Sequence, residues 1–320
     1  MTKSPILLNI KWDGLAKKEA FEKVLPDHPF FNLADGMPTA DQLSEVKYAI
    51  VWKPEKGFLA TLSNLEVIFS LGAGVDHVLE DEQLPNLPIV RFVDANLTSR
   101  MVEWVVLQVL MHLRHQRKYD SFQRISQWNE IFPQPSADQL TVGIMGFGEL
   151  GQASAKGLLP LGFNVCGWSR SEKTMEGVEC FHGESGLEKF LAKTDVLVSL
   201  LPYTPATHGI LNRSLIEKLS RNGPFGAPVL INAGRGGSQV EADVIDCLKE
   251  GLLHGVSLDV FETEPLPKDS PLWSFENAII TPHMAAVSDP DALAEHVAIQ
   301  VNRYEAGKEL QHVVDKGRGY

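Results

Sequence analysis

Two successive series of strand-length apolar runs, each run parted from the next by a more polar or helical stretch, constrain the fold of this chain more than any other feature. The first series holds Ile6–Ile10, Tyr48–Trp52, 67–71 and 89–93, with stretches such as 15–24 between them. The second holds Thr141–Met145, 164–168, 196–200, Val229–Asn232, 255–260 and Ala278–Ile280. Strands alternating with helices build parallel sheets, because a crossover helix returns the chain to the same sheet edge. The first series predicts a small layer of four or five strands, and the second a Rossmann-like sheet. Between them, residues 100–117 carry Val102, Val105, Val106, Val109, Leu110 and Leu113 on one helical face, which predicts a single connecting helix. A last helix over 290–306 follows the second series and is assigned back to the first domain. The expected fold is therefore α/β: two doubly wound, Rossmann-like or flavodoxin-like parallel-sheet domains with a cleft between them. Residues 1–100 plus 285–320 form one, and 101–284 are inserted as the other.

With 320 residues, 44% of them apolar, the chain is long enough for two such cores. Its net charge of −12 repels nucleic-acid phosphates and anionic membrane faces, so neither is an expected partner. The N-terminus lacks the apolar core and cleavage region of a secretory signal, and no run of membrane-spanning length occurs. Cys166, Cys180 and Cys247 are too widely spaced for a zinc cluster and odd in number for a disulfide framework. A reducing, cytoplasmic setting and no metal are expected.

The chemistry starts at Gly146, Phe147, Gly148, Glu149, Leu150 and Gly151, a dinucleotide fingerprint directly after a predicted strand and before a predicted helix over 152–159. Gly146 permits the tight turn, Gly148 admits a pyrophosphate to the backbone, and Gly151 lets helix and strand pack closely, while the helix N-terminus offers amide hydrogens to the anion. The alternative is a structural glycine turn. NAD-preferring sheets of this kind end their second strand in an acidic residue that bonds the ribose hydroxyls. Here that strand is followed by Ser169, Arg170 and Ser171, a hydroxyl and guanidinium set suited to a 2′-phosphate, which predicts NADP over NAD. Arg170 as a solvated surface charge is the competing reading, and Lys173 stands between the same two roles.

Reduction of a 2-oxo acid needs a hydride donor, a cation that grips the carboxylate and polarises the carbonyl, and an acid for the forming alkoxide. Arg235, Glu264 and His283 each follow a strand of the second series, where an open α/β sheet places its ligand crevice. Singly, each is more often structural or solvated. His208 and His254 lack such placement and are read as structural.

With these residues in hand, the sequence resembles the D-isomer-specific 2-hydroxyacid dehydrogenase family, and within it the glyoxylate/hydroxypyruvate reductase A branch. The stretches "GIMGFGELGQASAKGL", "LVSLLPYTPATHGILN", "INAGRGGSQVEADVIDCLKEG", "LDVFETEPLP" and "TPHMAA" stand in family order. The resemblance implies that Arg235 binds and polarises the 2-oxo acid, that His283 is the general acid, and that Glu264 raises the His283 pKa. It implies that Asp259 bonds the nicotinamide carboxamide, and Pro202 and Ala233 fall in the same motifs and join the cofactor set. It makes 101–284 the NADP-binding domain and the remainder the substrate-binding domain. In the latter, "SLGAGVDHV" offers backbone amides of Ala73 and Gly74 as a nest for the substrate carboxylate. Trp52 either walls that pocket or belongs to the core. Trp128 is expected to reach across a homodimer interface. The implied reaction is NADPH-dependent reduction of glyoxylate or hydroxypyruvate to glycolate or D-glycerate. The alternatives are an NAD-dependent enzyme for a bulkier substrate, and a non-catalytic dinucleotide sensor, against which stands the expectation that such regulators carry extra tails beyond the last helix.

Overall fold

The computed structural model describes residues 3–10, 18–72, 74–93 and 95–317. Two compact units result, Met1–Leu97 with Val287–Tyr320 and Thr98–Ala286. In the first, five parallel strands are β1 (Ile6–Ile10), β2 (Phe30–Asn32), β3 (Tyr48–Trp52), β4 (Val67–Ser70) and β5 (Ile89–Arg91), in the order β2-β1-β3-β4-β5. This is the flavodoxin-like order, whose winding reverses between β1 and β3. Residues of β1, β3 and β4 are buried on both faces, as strands between two helical layers must be, and so the sequence shows them as unbroken apolar runs.

The helix Pro290–Glu305 belongs to this unit. Asp289 caps it by accepting from the amides of Asp291 and Ala292, with Pro290 at the first helical position. It packs against the helix Lys18–Val24; Tyr304 meets Tyr48 edge-on at 6.1 Å, and Lys3 bonds Glu305 at 2.6 Å.

The second unit holds seven parallel strands: β6 (Thr141–Met145), β7 (Asn164–Ser169), β8 (Glu179–His182), β9 (Val196–Ser199), β10 (Val229–Asn232), β11 (Gly255–Leu258) and β12 (Ala278–Ile280). Their order is β12-β11-β10-β9-β6-β7-β8, the Rossmann arrangement with one strand added and its switch point between β6 and β9. Along β9, Val196 and Val198 enter one core cluster and Leu197 the other, so the period of two feeds a separate core on each face. Met101, Trp104, Val105 and Val109 of the helix Ala95–Leu113 cover the face that holds Val142 and Ile144.

Three expectations need correction. β2 and β8 are strands beyond the expected runs, both short and at sheet edges, where half-exposed side chains leave no long apolar run. The single helix expected over 100–117 is two, Ala95–Leu113 and Gln116–Arg124, because His115 turns left-handed (φ 53°) and its ring packs against Phe225 and His254 at 5.6 and 5.9 Å. The helix expected to begin at residue 152 begins at Glu149, so Glu149, Leu150 and Gly151 form its first turn, with Gly148 as the extended residue before it. Among the described residues, no helix is long and apolar enough to cross a membrane.

Candidate active site

Four strands of the second unit, β9 to β12, deliver their following residues past the carboxyl end of the sheet, and the ladder continues past the strand ends. Leu200 N donates to Met145 O, Ala233 N to Ser199 O, Asp259 N to Asn232 O and Thr281 N to Leu258 O, at 2.9 to 3.1 Å. Pro202, Ala233, Arg235, Asp259, Glu264 and His283 therefore leave a common edge, which is where the crevice of such a sheet lies.

After β6, Gly146 adopts φ 101°, and its amide and that of Phe147 donate to Trp168 O at 3.0 Å. A side chain at Gly146 would strike the backbone of Leu200, and one at Gly151 would overlap Gly146 O, so strand, turn and helix meet only through glycine. At Gly148 an added Cβ would meet no protein atom within 4 Å, so packing does not require glycine there. A Cβ there would instead fill the space before the N-terminus of the helix Glu149–Leu158, where a pyrophosphate binds in a sheet of this type. The residues thus fit a dinucleotide. At the end of β7, Ser169 Oγ donates to Ser171 O at 2.7 Å, folding the turn that presents the exposed Arg170.

His283 Nδ1 lies 2.9 and 3.1 Å from the two carboxylate oxygens of Glu264. A carboxylate only accepts, so Nδ1 carries the proton and Nε2 is the nitrogen left for chemistry. Glu264 is itself held by Phe261 N, which donates to its Oε1 at 3.2 Å. The loop carrying His283 hangs on Asp259, a side chain buried to 2% exposure. Its Oδ1 accepts from Thr281 Oγ1 at 2.5 Å and Met284 N at 2.8 Å, its Oδ2 accepts from Ala285 N at 2.9 Å, and its carbonyl takes His283 N at 2.8 Å. Asp259 thus serves the loop of the histidine, a duty the sequence did not suggest.

Arg235 is half-buried, and its Nη1 donates to Gly234 O at 2.8 Å. Buried Asn232 frames its turn: Oδ1 accepts from Gly234 N at 3.0 Å, and Nδ2 donates to Arg235 O at 3.3 Å and Gln239 Oε1 at 2.9 Å. Nothing in the sequence marks Asn232 and Gln239. A buried amide is written in the same letters as a surface one, and only its partners tell them apart.

In the first unit, Trp52 ends β3, one of the two strands flanking that sheet's switch point. It is half-buried rather than core; its ring lies 4.6 Å from that of His77 and so close over Gly72 that a Cβ there would overlap it. Gly74 follows in the turn before the helix Asp76–Leu79. Ala73 lies outside the described residues. His254 is stacked on Phe225 at 4.5 Å, and His208 bonds Tyr203 at 2.9 Å between its Nδ1 and the phenol oxygen.

Residues 106–285 match the family model described as "D-isomer specific 2-hydroxyacid dehydrogenase, NAD binding domain". A curated relative from Yersinia enterocolitica, a glyoxylate/hydroxypyruvate reductase A, is 37% identical over 313 residues, covering 92% of this chain and 98% of that protein. The NADPH-dependent glyoxylate/hydroxypyruvate reductase of Sinorhizobium meliloti, solved in complex with NADP and sulfate, is 51% identical with a TM-score of 0.92, covering 99% of this chain and all of that one. A D-isomer specific 2-hydroxyacid dehydrogenase of Xanthobacter autotrophicus in complex with NADPH and MES is 36% identical with a TM-score of 0.89, covering 99% of each chain. Ordered motifs, sheet topology and these likenesses agree, and the chain belongs to the D-isomer specific 2-hydroxyacid dehydrogenase family.

Proposed function

We propose that this enzyme uses NADPH to reduce small 2-oxo acids, glyoxylate and hydroxypyruvate, to the corresponding 2-hydroxy acids, with His283 as general acid. The observation that carries this reading is the His283–Glu264 pair, which engages Nδ1 and leaves Nε2 for proton transfer past the carboxyl ends of the strands that also deliver Arg235. NADPH, when bound, supplies the hydride. The chain's own residues do the rest: the Arg235 guanidinium grips the carboxylate and draws electron density from the carbonyl, and His283 Nε2 delivers a proton to its oxygen. Glu264 fixes the ring orientation and balances the imidazolium charge before that transfer.

Gly146, Gly148, Glu149, Leu150 and Gly151 hold the pyrophosphate, with Pro202, Ala233 and Asp259 along the remainder of the dinucleotide. Ser169, Arg170 and Ser171 take the 2′-phosphate; the relatives solved with NADP and NADPH support this choice. Residues 101–284 thus act as the cofactor domain and residues 1–100 with 285–320 as the substrate-binding domain, where Trp52 and the Gly74 backbone are the substrate contacts we assign. The enzyme works as a cytoplasmic homodimer.

Initial rates with NADPH and NADH against glyoxylate, hydroxypyruvate, pyruvate and phenylpyruvate, followed by nicotinamide absorbance, test the reading. We expect NADPH to be preferred and the two small substrates to give the highest kcat/KM. Preference for NADH overturns the cofactor assignment, and preference for phenylpyruvate overturns the substrate class.

A further inference from the structure

The loops that follow β10 and β11 carry Arg235 and Glu264, and they grip each other at several points. Gln239, 2% exposed, uses its whole carboxamide between them: Oε1 accepts from Asn232 Nδ2 at 2.9 Å, and Nε2 donates to Val260 O at 3.0 Å. Gly236 presses so closely on Phe261 that a Cβ would overlap the Phe261 carbonyl. Nearer the rim, two glutamates exchange bonds with each other's backbone. Glu262 N donates to Glu241 Oε1 at 2.6 Å, and Glu241 N donates to Glu262 Oε1 at 2.8 Å. Both grips reach the chemistry. Asn232, held by Gln239, also takes the carbonyl of Arg235, and Phe261, held against Gly236, donates to Glu264.

We propose that Gln239, backed by the reciprocal pair Glu241 and Glu262, is a positioning residue that fixes the Arg235 and Glu264 loops as one body; this rests on the roles given to Arg235 and Glu264 above. A buried amide is satisfied only when both loops are in register, since losing either partner strands a polar atom away from water. Register matters because the cation that holds the substrate and the carboxylate that orients the imidazole must agree on where the carbonyl sits. A displacement near 1 Å between them costs turnover while leaving the dinucleotide site after β6 and β7 intact.

The test compares four variants of the full-length enzyme. Gln239→Met keeps the volume and removes both side-chain bonds. Glu262→Ala removes one arm of the rim exchange, while Glu262→Gln keeps an acceptor for Glu241 N. Glu264→Gln reports on the catalytic reading itself. We expect Gln239→Met and Glu262→Ala to lose about ten- to a hundredfold in kcat, with NADPH dissociation constants from nicotinamide fluorescence unchanged and with Glu262→Gln near wild type. A lowered Tm with kcat unchanged at a permissive temperature makes both residues merely structural and overturns the proposal. So does a loss confined to cofactor binding. If Glu264→Gln is impaired while Gln239→Met and Glu262→Ala turn over normally, the positioning role alone fails. If Glu264→Gln is fully active, the catalytic reading fails and takes the positioning role with it.

Discussion

His283 sits at φ 56°, a left-handed backbone that costs an L residue about 1–2 kcal/mol. Its surroundings offset that cost locally: three donors of residues 281–285 converge on the buried Asp259 carboxylate, and the His283 amide closes onto the Asp259 carbonyl. The twist aims the ring at Glu264 instead of along the strand. Past the carboxyl end of β7, Arg170 is exposed, and the proposed 2′-phosphate contact can be tested there apart from the core. Charge-assisted bonds to a phosphate contribute about 1.5–3 kcal/mol, so Arg170→Asp should raise the KM for NADPH about tenfold or more while leaving that for NADH little changed. Equal effects on both would make Arg170 a surface charge. The glycines, Arg235, Glu264 and His283 stand out in the sequence by residue type and by their place after predicted strands, and the structure sets them past the carboxyl ends of one parallel sheet. Asn232, Gln239 and Glu262 do not stand out, because Asn232 and Gln239 bond each other, Glu262 bonds Glu241, and nothing in their letters says so.

At the scale of elements, strands buried on both faces declared themselves as apolar runs, while the edge strands β2 and β8 and the interruption at His115 depended on tertiary contacts. That interruption brings three imidazoles together beside the start of β11. His112 is buried with its Nε2 2.9 Å from Ser257 Oγ, His254 stacks on Phe225, and His115 lies edge-on to both rings. Burial pushes the His112 ring down to about 3 and His254 to about 4 from the ordinary 6.5. The neighbouring His115 and Lys118 charges press the His254 value in the same direction. The folded protein therefore refuses protons that the unfolded chain accepts. Stability from these rings is present above about 6.5 and is lost as the pH falls through about 4 for His254 and through about 3 for His112. His254→Phe keeps a ring on Phe225 and removes the titration. Melting temperatures followed from pH 7 to pH 4 should fall less steeply for this variant than for the wild type, and parallel curves would show that other groups set the acid limit.

For the molecule as a whole, the segment after the helix Gln116–Arg124 is out of keeping with a solitary chain of net charge −12. Trp128 is 93% exposed, Phe132 78% and Ile125 60%, three large apolar side chains within eight residues of sequence, whereas an isolated soluble surface keeps such residues scattered. Burial of a Trp at the centre of an interface is commonly worth 2 kcal/mol or more, enough to set an association equilibrium. A second copy of the chain is the proposed cover, with Trp128 reaching the partner's substrate. If so, Trp128→Ala should weaken dimerisation in light scattering across a dilution series by roughly tenfold or more. It should also change the hydroxypyruvate KM or kcat at concentrations where the variant is still dimeric, which separates a contact with substrate from a contact with the neighbour alone. A variant that is as dimeric as wild type and has the same KM and kcat would remove Trp128 from both roles. One that dissociates but keeps its kinetics as a dimer would leave it a purely associative residue.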